Sequence, residues 1–314
     1  MKRNALRLSQ LFRKMIGEER GSALVLIALA LTVLLSSVAL VTDVGIIFLN
    51  RIQVANAADA AALAGVQALP DDKTRAELLA EEYGVKNNVP DIVVEVTEDR
   101  REIKVTAQRT TNLLFARVMG HNSTLAQAQA RVKLEPLTGV KGIVPLGIEE
   151  QVLIFGETYI LKYAAGSEPG GEYHSGWLGI LALQGPGAKL YEEDLMYGFD
   201  QEVKVGDLLN IQTGNISGKT QSGVQYRIDR CKHTPACTPD HYEKDCPKIL
   251  LVPMIKPYNS KQVQVMGFAA FLVEAVAGMG NENYITGQFL YHTISGASSP
   301  TGPDNGIYAP RLIQ

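Results

Sequence analysis

Residues 22–42 read SALVLIALALTVLLSSVALVT, 21 residues without a charge. About 20 apolar residues in a helix cross the hydrocarbon core of a bilayer. A helix that is apolar on every face over such a length has little place in a small soluble core. The stretch therefore predicts a membrane-spanning helix. Ser36 and Ser37 are compatible with it, because each hydroxyl can bond the carbonyl one turn earlier and need not stay unpaired in lipid. Past Asp43 the residues Val44, Ile46, Ile47, Phe48, Leu49, Ile52 and Val54 continue without proline into the Ala-rich residues 55–68. Ala is the strongest helix former. Pro70 should end the helix, since the residue before proline is pushed out of the α region. At 1.5 Å per residue, a rod over residues 22–69 is roughly 70 Å long.

The upper rod carries a face of small side chains. Ala58, Ala61, Ala62 and Gly65 follow one another at steps of three, one and three and share one side of the helix. Small residues let a second backbone approach closely. The face is expected to pack against another helix, and Ala57 is expected to lie well round from Ala62.

Composition limits the function. The chain has 314 residues and a net charge of -3, a length that suggests two domains besides the anchor. Residues 1–21 hold Lys2, Arg3, Arg7, Arg13, Lys14 and Arg20 against Glu18 and Glu19, a surplus of four that leaves -7 for the rest. Basic residues flanking a span stay in the cytoplasm, so the N-terminus is expected inside and the C-terminal domains outside. The acidic remainder argues against a nucleic-acid partner, which requires a basic face. Ser37-Val38-Ala39 could pass for a signal-peptidase site, but the apolar run exceeds that of a cleaved signal, and a signal-anchor is expected. Leu6, Leu8, Leu11, Phe12 and Met15 beside the basic residues also suit an amphipathic tail on anionic lipid.

These residues together carry a resemblance. The order is a basic N-terminus, Arg20-Gly21-Ser22-Ala23-Leu24, the apolar run, Asp43-Val44-Gly45 and then residues 56–65, NAADAAALAG. Residues 17–69 resemble the N-terminal region of TadE/TadG-like proteins of the Tad (Flp) pilus-assembly system, above all in NAADAAALAG. The resemblance implies a single-pass cytoplasmic-membrane protein with its bulk outside the cell. It implies lipid, other Tad proteins or pilin-like helices, and its own copies as partners, with no catalytic residues. Processed pilins of such systems are cut after a Gly that has Glu at the fifth following position. Here Gly17 is followed by Ser22 and Gly21 by Leu26, so the resemblance favours the uncleaved, TadG-like members.

Beyond the rod an α+β chain is expected. A small α-β-β-α-β module occupies residues 71–136: a helix over 73–83 capped by Asp72 and stopped by Gly84, strands over 92–97 and 102–109 joined by a turn, a short helix over 111–119, and a strand over 123–134. Residues 135–139 read as a boundary. From residue 140 short β-like runs with frequent glycine predict a mostly β domain to residue 314, with strands near 153–155, 158–163, 177–183, 207–213, 249–253, 262–274, 285–294 and 306–312. Helices near 191–197 and 222–231 interrupt it.

Candidate sites are few. Residues 214–220, GNISGKT, fall one residue short of a phosphate-binding loop and read as a turn into a helix. Cys231, His233, Cys237, His241 and Cys246 bring five metal-ligand types into 16 residues, but without a C-x₂–₄-C pair to nucleate a zinc site. An oxidising compartment favours a disulfide. Cys231 with Cys246 is the preferred pair, a closure that stabilises by roughly 3 kcal/mol in the chain-entropy model. A metal site and three reduced thiols stay open beside it. His174, Ser175 and His292 form no recognisable triad, Glu149-Glu150 and Glu192-Glu193 read as solvated surface, and Trp177 as core or strand edge. The leading expectation is a non-enzymatic, cofactor-free pilus-assembly component. The alternative is an anchored envelope enzyme or metal protein with its site around residues 231–246.

Overall fold

A computed structural model describes residues 19–162, 179–212, 216–277 and 284–313. The basic tail, His174, Ser175, Trp177 and residues 213–215 lie outside the described residues.

Helix α1 spans Glu19–Gly65 and passes into a 3-10 turn, Val66–Ala68, as the unbroken run of helix formers requires. The hydroxyls of Thr32, Ser36, Ser37 and Thr42 each donate to the carbonyl four residues earlier at 2.8–2.9 Å, so these four polar side chains are satisfied within the helix. Helix α2 follows over Lys73–Lys86, with Asp72 Oδ1 accepting the Arg75 amide at 2.9 Å as an N-cap. It runs through Gly84 instead of stopping there. A Cβ on Gly84 would lie 2.9 Å from both the Ile92 side chain and the Val89 carbonyl, so this glycine serves a close approach.

Strands β1 (Ile92–Val96) and β2 (Glu102–Asn112) form the expected hairpin, closed by the Thr97 amide donating to the Glu102 carbonyl at 3.0 Å. The helix expected over 111–119 shrinks to a 3-10 turn, Ala116–Met119, because β2 continues to Asn112. Strand β3, Ser123–Val140, passes straight through residues 135–139, read from sequence as a boundary. Pairing with later strands holds them extended: Glu135 faces Ala309 and Pro136 faces Tyr308.

The later elements are β4 (Ile148–Glu149), β5 (Thr158–Lys162), α3 (Ala188–Tyr197), β6 (Val203–Lys204), β7 (Leu208–Asn210), α4 (Ser217–Asp229), β8 (Ile249–Asn259), β9 (Gln262–Ala277), β10 (Tyr284–Leu290), β11 (His292–Thr293), β12 (Ala297–Ser298) and β13 (Ile307–Ile313). Residues 153–155 form no strand. The fold is α+β. By contacts the described residues divide into two compact units, neither continuous in sequence: those up to 61 with 81–93 and 105–130, and those of 62–80 with 94–104 and from 131 onward.

One sheet has the order β1-β2-β3-β13-β11, with β12 and β6 also on β3. The other runs β4-β8-β9-β10-β5, with β7 also on β9. Strand β9 is its centre. Phe268, Ala269, Ala270, Phe271, Leu272 and Val273 are all buried, so both faces of the strand are covered. Ala269, Phe271 and Val273 enter one apolar cluster with Phe289 and Leu195; Phe268, Ala270 and Leu272 enter another with Leu137, Cys237 and Cys246. Against this core, α3 and α4 pack together. The Tyr191 hydroxyl lies 2.9 Å from Thr220 Oγ1, and the half-buried Arg227 guanidinium donates to the carbonyls of Leu195 and Pro247 at 2.6 and 3.2 Å.

Candidate functional site

The first site candidate is the rod. Between Leu24 and Val41 its large apolar side chains are more than half exposed, on a helix long and apolar enough to cross a membrane. Above that stretch one face closes over. Val54, Ala57, Ala58, Ala61, Ala62 and Gly65 are buried, successive members of a helical stripe at steps of three, one, three, one and three. The expected small face is thus covered by the chain itself. Ala57 belongs to the stripe and does not stand clear of it, because the stripe is wider than the four residues chosen from sequence. At its top, a Cβ on Gly65 would lie 2.5 Å from Ile103 Cδ1 and 2.8 Å from the Ala76 carbonyl oxygen. The exposed large apolar side chains there are Val44, Phe48, Leu49, Ile52 and, higher up, Leu63.

Asp43 ends the uncharged run and is buried. Its Oδ1 accepts the Leu114 amide at 2.8 Å, and its Oδ2 accepts those of Phe115 at 3.0 Å and Ala116 at 2.6 Å. The carboxylate thereby caps the Ala116–Met119 turn, with its charge against the free amides of that turn. Val118 and Met119 are 91% and 82% exposed. With Leu113 and Phe115 they flank an apolar groove shared with Leu35 and Val38 of the rod. From sequence Asp43 marks the end of the span and opens the Asp43-Val44-Gly45 motif; a charge closing an apolar run is the signal that points to a partner for it.

The second candidate is the cysteine loop. The ligand atoms of Cys231, His233, Cys237 and Cys246 all lie within 4.8 Å of one another. His233 Nδ1 is 3.7 Å from Cys231 Sγ and 3.3 Å from Cys237 Sγ, and the Cys231 and Cys246 sulfurs are 3.6 Å apart, a non-bonded separation. The three cysteines are free thiols. Burial pushes Cys246 up to about 12. Burial pushes Cys231 the same way but is outweighed by the Cys237 amide, His233 and the Cys246 thiol, which bring it down to about 6. His241 stands outside the cluster, its backbone bridging Thr238.

A third place is polar. Lys244 Nζ donates to Thr293 Oγ1 at 3.2 Å, and Thr293 donates to Gln67 at 2.6 Å. Beside them His292 is buried and its Nδ1 has no hydrogen-bond partner among the described residues. Burial, with the Lys244 charge nearby, lowers His292 to about 4. A folded-state value below the unfolded one near 6.5 means the unfolded chain binds more protons at mildly acid pH, so stability is present above 6.5 and is lost as pH falls toward 4. The loss expected from this residue between pH 7 and 5 is about 2 kcal/mol. Lys244, lowered by burial to about 8, titrates on the alkaline side of that window, whereas Asp71, raised by burial, opposes the trend at its acid end. Urea titrations at both pH values should therefore show a smaller acid loss for His292→Gln than for the unaltered chain. Equal losses would remove His292 as the cause.

The near-miss phosphate loop has another use. Lys219 Nζ pairs with Glu192 at 2.7 Å, Ser222 donates to the same carboxylate, and Thr220 is buried. Of the two Glu pairs, Glu149-Glu150 are exposed, while Glu192 is tied to α4.

The geometry defines a class: a chain with an N-terminal helix able to cross a membrane, continuing into a mixed α+β body. Residues 21–68 match the Tad family model, described as Flp pilus-assembly TadE/G-like. The N-terminal segment is thus a TadE/G-like one, as its residues implied, and the match supports a pilus-related role. Residues from 69 onward lie outside it. No curated protein and no solved structure matches the chain.

Proposed function

We propose that this protein is a membrane-anchored, non-enzymatic component of a Tad-type pilus-assembly system, with its N-terminus in the cytoplasm and its α+β body outside. The observation that carries the reading is the TadE/G-like match over residues 21–68, on a helix whose apolar residues 24–41 are exposed all round. Lipid is the medium that such a surface suits. The Asp43-capped turn, with Val118 and Met119 outward, lies against the last turns of the apolar run and rests in the outer lipid interface. Because the Ala stripe is covered by the chain, the face left for another pilus-assembly helix is that of Val44, Phe48, Leu49 and Ile52.

Two measurements test this. A reporter active only outside the cytoplasm should work when fused after Gln314 and be silent at Met15; the reverse would place the body in the cytoplasm and sink the reading. Phe48→Lys should weaken recovery of other Tad components with the detergent-solubilised protein, without changing its membrane insertion. Undiminished recovery would remove that face as the partner surface.

A further inference from the structure

We propose that Cys231, His233, Cys237 and Cys246 form a closed Cys₃His site for one structural Zn²⁺. Zinc in such sites is tetrahedral, with bonds of roughly 2.3 Å to sulfur and 2.0–2.1 Å to nitrogen, which puts neighbouring ligand atoms roughly 3.5–3.8 Å apart. In the structure three of these separations are 3.3, 3.6 and 3.7 Å. Three of the six separations thus lie close to the edges of a zinc tetrahedron whose corners are the four ligand atoms, and the other three are no longer than 4.8 Å.

The surroundings are those of a ligand set. His233 turns Nδ1 to the sulfurs and Nε2 to Asp245 Oδ1 at 3.4 Å, the carboxylate–histidine arrangement that orients an imidazole toward zinc. Backbone amides point at the thiols: Glu243 at Cys237 Sγ at 3.5 Å, His233 and Cys237 at Cys231, and Lys248 at Cys246. Such donors support thiolates. Three thiolates and a neutral imidazole around Zn²⁺ leave one negative charge, and Lys248, whose ammonium bonds the Cys237 carbonyl at 2.7 Å, lies beside it. Cys237 and Cys246 are buried against the apolar cluster that holds Phe268 and Leu272. All four positions are protein ligands, so the ion is structural, pinning a loop with little secondary structure to the start of β8. The inference is independent of the pilus reading.

The test uses the full chain purified in detergent without chelator. Elemental analysis should find about one zinc per chain, as a closed structural site requires. Cys237→Ser and His233→Ala should lose it, His233→Cys should keep it, and His241→Ala should be unaffected. Because a ligand variant can fail to fold, cobalt exchange into the unaltered protein gives a second readout, a thiolate-to-cobalt charge-transfer band. Absence of zinc together with a Cys231–Cys246 disulfide in non-reducing peptide maps would overturn the site. So would zinc that survives Cys237→Ser, or cobalt bound without the thiolate band.

Discussion

Gly65→Leu is expected to destabilise the body by about 3 kcal/mol or more, beyond the usual cost of overpacking because backbone is in the way. Even the Cβ would lie 2.8 Å from the Ala76 carbonyl oxygen and 3.2 Å from Ala80 Cβ. Ile103 Cδ1, at 2.5 Å, can swing aside, but the Ala76 carbonyl belongs to α2 and moves only with that helix. Gly65→Ala sets the same clash against a propensity gain of about 1 kcal/mol, so a smaller net loss is expected. Gly45 supplies the control on the same helix: nothing lies within 4 Å of a Cβ there. Gly45→Ala should be neutral or slightly stabilising. Calorimetry of the detergent-solubilised protein measures all three. If Gly45→Ala and Gly65→Ala move the melting temperature alike, the close approach of the helix end to α2 is not what stabilises the body.

Asp43→Ala is expected to free the Ala116–Met119 turn. Three amides lose a charged acceptor at once. A hydrogen bond to a charged group contributes about 1.5–3 kcal/mol, and partly exposed amides recover some of that from water, so about 3 kcal/mol in total is a reasonable loss. That corresponds to roughly 100-fold faster hydrogen exchange in a peptide covering residues 112–122, with β8 and β9 unchanged. Asp43→Asn offers one acceptor oxygen in place of two and should fall between. Unchanged protection in that peptide would show that the turn holds without its cap.

Much of the chain could be read from local rules. The uncharged run is an exposed helix, its hydroxyls bond back one turn, Asp72 caps α2, and residues 97–102 turn the hairpin. The Ala/Gln alternation of residues 123–134 is a strand. Helices near 191–197 and 222–231 are present, each beginning earlier than expected, at Ala188 and Ser217. Each rests on propensity or period over a few consecutive residues. The cysteine loop is half legible: its ligand types stand out, but it has no two cysteines a few residues apart, because His233 stands between Cys231 and Cys237 in the cluster.

By itself, the sequence determined that this protein has one long apolar helix, a TadE/G-like segment upon it, a small-residue face above it and an α+β body. Only the tertiary structure decided what meets what. A helical period shows that Ala58, Ala61, Ala62 and Gly65 share a face, but not whether a partner or the chain itself covers it. Strand character through residues 135–139 came from pairing with distant strands: Glu135 and Pro136 with Ala309 and Tyr308 of β13, Leu137 and Gly139 with Ser298 and Ala297 of β12. The amides under Asp43 lie 71 to 73 residues further along the chain. In each case the deciding contact joins residues far apart in sequence, and no local period or propensity carries information about which distant segment folds back to make it.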